Sequence, residues 1–137
     1  MYKRIYQFLF FFKAQTAHGL HSPLVFDLYM KVINPNLWPY HSKKIYEEIQ
    51  KFISSKLELK DFNLLIINNL NDLSSLEIKK KQVIFINDTY QNKEFKKGVD
   101  HIANNVVYNY VIHFFKGSIL ISSDLSPKQI FYLKHMQ

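Results

Sequence analysis

Three early segments carry apolar residues at helical spacing, and the rhythm changes near Asp61. Tyr2 to about Gln15 reads as a helix that is apolar around most of its circumference between Ile5 and Phe12. Such a helix is buried, or lies against a partner or a membrane. Pro23 to Ile33 predicts a second helix, rich in large apolar side chains, which Asn34-Pro35-Asn36 breaks. Trp38-Pro39 opens a third, reaching about Lys56. There Ile45, Ile49, Phe52 and Ile53 share one face, while Lys43/Glu47 and Glu47/Lys51 pair on the wet side.

Beyond Asp61 come short apolar runs bounded by polar clusters: Phe62 to Ile67, Val83 to Ile86, Val106 to about Phe115, and Ser118 to Ile121. The first two are continuous rather than alternating, which suits strands buried on both faces, as in a parallel sheet. Between the second and third, Phe95, Val99, Ile102 and Ala103 recur at helical spacing within Asn92 to Ala103, although Gly98 costs that helix about 1 kcal/mol against alanine. Strand, helix and strand in this order predict a βαβ unit. The last two runs, joined through Lys116-Gly117, predict a hairpin and hence an antiparallel strand. Lys128 to Met136 reads as a short helix or an added strand. The whole is a single α/β domain over 1–137, with a helical part at 1–57 and an α/β part at 61–137.

Composition narrows the chemistry. With 47% hydrophobic residues and three glycines among 137 residues, the chain can bury a core. It has no cysteine, which excludes disulfides, thiolate nucleophiles and cysteine-ligated metals and suits a cytoplasmic setting. Lys3 and Arg4 ahead of Phe8 to Phe12 have the outline of a secretory signal, but the apolar run is short and no small-x-small cleavage site follows. The formal charge of +7 favours an anionic partner. Lys43, Lys44, Lys79, Lys80 and Lys81 are candidate contacts for RNA or DNA, and Phe8, Phe11 and Phe12 for a membrane surface.

Two places invite closer reading. In AHGLHSPLVFDLY, His18 and His21 are spaced as a metal pair, but Gly19 and Pro23 interrupt the helix that i, i+3 ligation requires. Gly19, His21, Ser22 and Pro23 read better as a structural joint: Gly19 closes one helix, Ser22 caps the next, and Pro23 sits in its first turn. Asp88 lies just past the Val83 run, where open α/β sheets bind ligands, and also where an aspartate opens a turn. His41, His101, His113 and His135 show no ligand spacing, and there is no P-loop or HExxH helix. No metal site and no catalytic group is expected.

Two blocks carry a family resemblance. KAQTAHGLHSPLVFDLYMKVI, after the opening helix, is similar to the start of a bacterial family of class I S-adenosylmethionine-dependent methyltransferase-like proteins, which have a His-Gly-x-His-Ser-Pro-Phe-Val-Phe segment there. KQVIFINDTYQNKEFKKGVDHIANN resembles the same family's late strand, acidic strand end and crossover helix. Together the matching blocks span Met1 to Ile33 and Lys81 to about Ser122.

The resemblance implies a Rossmann-like sheet, reduced here to about four strands, because only residues 57–81 separate the third helix from the late strand. By the family's strand order, the Phe62 run should lie beside the Val83 run, with the hairpin on the far side. The family holds its cofactor on a glycine-rich loop after its first strand, whereas LLIINNLNDL has no glycine. Where the family's late strand ends in two acids, this chain has Asn87 and Asp88. The resemblance thus implies a degenerate relative that binds no cofactor. Such a chain would act through a protein partner or as a homodimer, with an RNA- or DNA-binding accessory role as the alternative. A methyltransferase whose site is completed by another chain is a further alternative.

Overall fold

A computed structural model describes residues 22–123 and 127–134. Its chain forms an α/β, Rossmann-like architecture in which helices cover both faces of one mixed sheet. Gly19 and His21 of the expected joint, the His18/His21 pair, the first helix with Phe8, Phe11 and Phe12, and His135 lie outside the described residues.

Helix α1 covers Pro23–Leu28, with Pro23 in its first turn. Ser22 caps it: its hydroxyl accepts from the Val25 amide at 3.3 Å, satisfying one otherwise orphaned donor. The expected single helix to Ile33 instead widens into a π-helical turn at Tyr29–Ile33, which buries Tyr29, Val32 and Ile33, and then tightens at Asn34–Asn36. Helix α2 covers Ser42–Ser55 and buries Ile45, Ile49, Phe52 and Ile53. It begins later than its apolar spacing suggested, because Leu37 and Tyr40 bridge across Trp38 and Pro39 to form a tight turn.

The sheet has five strands in the order β1-β2-β4-β3-β5. They are β1 (Asn63–Ile67), β2 (Gln82–Asn87), β3 (Tyr110–His113), β4 (Gly117–Ile121) and β5 (Gln129–Tyr132). β1 is parallel to β2, and β4 runs antiparallel to both β2 and β3, so the β3–β4 hairpin lies on the far side of β2 from β1. The sheet is one strand larger than expected, since β5 adds parallel to β3. Lys128 fastens the start of β5 by donating to the carbonyls of Ala103 and Asn105. At its far end, the Tyr29 hydroxyl donates to the Lys134 carbonyl and joins the helical layer to the last strand.

Two cores explain the unbroken apolar run of β2. Val83 and Phe85 face α1, α2 and the π-helical turn, whereas Ile84 and Ile86 face the opposite helices. Those helices are α3 (Leu70–Ser74) and α4 (Lys93–Ala103). Phe85 is fully buried, which is worth about 1.5–3 kcal/mol in apolar transfer. Asn92 caps α4 by accepting from the Phe95 amide at 2.8 Å.

Three expectations need correction. β1 is not buried on both faces: it is an edge strand, and Leu65 and Ile66 are each 37% exposed because no strand among the described residues covers its outer side. Gly117, expected in the hairpin link, lies within β4, and the turn's left-handed residue is Phe115, at φ 63°. The Phe115 ring stacks on Tyr90 at 4.9 Å, a contact that holds the turn. Strand β3 starts only at Tyr110, since Val106 is exposed in the turn after α4.

Candidate functional site

In a sheet of this kind the carboxyl ends of the parallel strands are where ligands bind, and β1 and β2 end side by side at Ile67 and Asn87. Asp88 follows immediately in the left-handed region, at φ 53°. Two hydrogen bonds hold it there: its amide donates to the Lys116 carbonyl at 2.7 Å, and its carbonyl accepts from the Gln91 amide at 3.0 Å. A non-glycine residue in that region stores strain, and such positions cluster at binding sites and switches. At Asp88 the bend also directs the chain from β2 toward α4.

Four neighbouring side chains bridge the two strand ends. The Tyr40 hydroxyl donates to Asn87 Oδ1 at 2.5 Å, and Asn87 Nδ2 donates to Asn68 Oδ1 at 3.3 Å. Gln91 Nε2 donates to the Asn68 carbonyl at 3.0 Å and to that of Asp88 at 3.2 Å. Burial, with a smaller effect from the Asp88 carboxylate, pushes the Tyr40 phenol well above its ordinary value, so it stays a neutral donor at physiological pH.

The turn after β1, where a glycine-rich loop would cradle a cofactor, has another use. Asn69 caps α3 by accepting from the Asp72 amide at 2.9 Å, and Asp72 Oδ2 accepts from the Asn68 amide at 2.9 Å. This is a reciprocal capping arrangement. The amides of Asn68, Asn87 and Gln91 already have protein partners, and no glycine permits close backbone approach, so the residues present do not fit S-adenosylmethionine.

A second polar group lies inside the sheet. His113 and Ser118 are cross-strand partners in the hairpin, with His113 Nδ1 and Ser118 Oγ 2.7 Å apart. Thr89 Oγ1 lies 3.0 Å from Ser118 Oγ, and the Tyr132 ring sits 5.2 Å from that of His113. Ser118 and Thr89 are fully buried, and the Ser–His contact satisfies polar groups inside the core. Among the described residues, no group of three His, Asp or Glu side chains could hold a metal ion.

The basic residues do not converge. Lys43 and Lys44 start α2, which the Tyr40–Asn87 bond holds at the carboxyl end of β2, whereas Lys79, Lys80 and Lys81 lead into its amino end. At about 3.3 Å per residue, the length of β2 sets the two groups some ~20 Å apart. Among the described residues, no helix is long and apolar enough to cross a membrane.

The spacing of the chain marked Asp88 but not Tyr40, Asn68 or Gln91. The separation of 47 positions from Tyr40 to Asn87 leaves no local trace of their contact. The Asn69/Asp72 spacing is a capping signal that was open to reading, and so is the hairpin register that faces His113 with Ser118.

No family model, no curated protein and no solved structure matches this chain.

Proposed function

We propose that this protein is a reduced, non-catalytic relative of the class I S-adenosylmethionine-dependent methyltransferases, retained in the cytoplasm as a protein-interaction or assembly module. The observation that carries the reading is the hydrogen-bonded network of Tyr40, Asn68, Asn87 and Gln91 across the carboxyl ends of β1 and β2, which occupies the polar groups a cofactor would need. The strand order supports descent from that family, since β1 lies beside β2 and the hairpin on the opposite flank. The exposed edge of β1 supports a role in association, because unpaired strand edges recruit strands.

Isothermal calorimetry with S-adenosylmethionine tests the proposal. The expected result is no binding; stoichiometric binding together with methyl transfer to an acceptor would overturn it. The formal charge of +7 favours a second reading, an accessory role on RNA or DNA. That role requires binding that falls steeply with salt. An unshifted labelled RNA at low salt counts against it.

A further inference from the structure

We draw no further inference here: the strongest candidate, the surface patch formed by the exposed Trp38 on the tight turn ahead of α2 and by Lys43 and Lys44 in that helix's first turn, is balanced in charge by Glu47 and Glu48 one turn on, and nothing in the structure shows what covers it.

Discussion

Tyr40 and Asn87 meet across 2.5 Å, hydroxyl to amide oxygen, and that bond locks the entry to α2 onto the carboxyl end of the central strand β2. Tyr40→Phe keeps the ring but leaves Asn87 Oδ1 without this donor. A loss of about 1 kcal/mol is expected in urea unfolding, the usual size for one such bond. An unchanged midpoint would mean that water replaces the phenol without cost.

Alkaline pH should loosen the core from the opposite end of the same strand. Burial pushes the Tyr108 phenol up to about 12, and its hydroxyl donates to Gln82 Oε1 at 3.0 Å. A raised phenol makes the folded chain hold a proton that the unfolded chain releases near pH 10, so its contribution is complete below pH 10 and disappears as pH rises toward 12. Tyr108→Phe should flatten the fall in stability over that interval, while Tyr29, Tyr40 and Tyr132, raised by burial in the same direction, preserve a residual slope.

At acid pH the sign reverses. Asp27 is held below its ordinary value of 3.8, chiefly by the hydrogen bond from Lys56 at 2.6 Å. Its contribution is therefore present above that value and is lost as pH falls through the lowered one. The carboxylate is 35% exposed, so solvent screening limits the effect, and Asp27→Asn should cost about 0.5 kcal/mol near neutral pH. The difference between the variant and the parent should vanish in an acid titration of stability.

Two glycines should answer differently to alanine. At Gly117 a Cβ would sit 2.7 Å from the Ile86 carbonyl oxygen, so Gly117→Ala forces β4 away from β2 at an expected cost of about 1–3 kcal/mol. At Gly98 the obstacle is Leu73 Cδ2 at 2.4 Å, the movable end of a side chain, and alanine also favours the helix by about 1 kcal/mol. Gly98→Ala should therefore fall well short of Gly117→Ala in thermal unfolding.

The same pair of glycines shows what a chain read alone can reveal. The spacing of Phe95, Val99 and Ile102 was enough to place α4, yet Gly98 looked only like a weakness. Its purpose lies in Leu73, 25 positions earlier, which packs where a Cβ would be. The continuous run of β2 correctly announced burial on both faces, whereas the similar run of β1 did not. Apolar content records what a strand can bury, and its place in the sheet decides what it does bury. Asp88 was visible because a strand end is a local event. The network around it joins residues from three distant segments, and no periodicity encodes that meeting.

The bond from Tyr29 to the Lys134 carbonyl bears on how the molecule is made. During synthesis Tyr29 leaves the ribosome long before Lys134 is added, and until then its hydroxyl would have only the long contact to Asn34 Oδ1, at 3.5 Å, beside a β3 edge with no β5. The helix-side core can collapse early, but it acquires its last polar partner only when translation has passed Lys134. A nascent chain stalled short of Gln129 would thus offer its quality-control machinery an open strand edge and a phenol held only by Asn34.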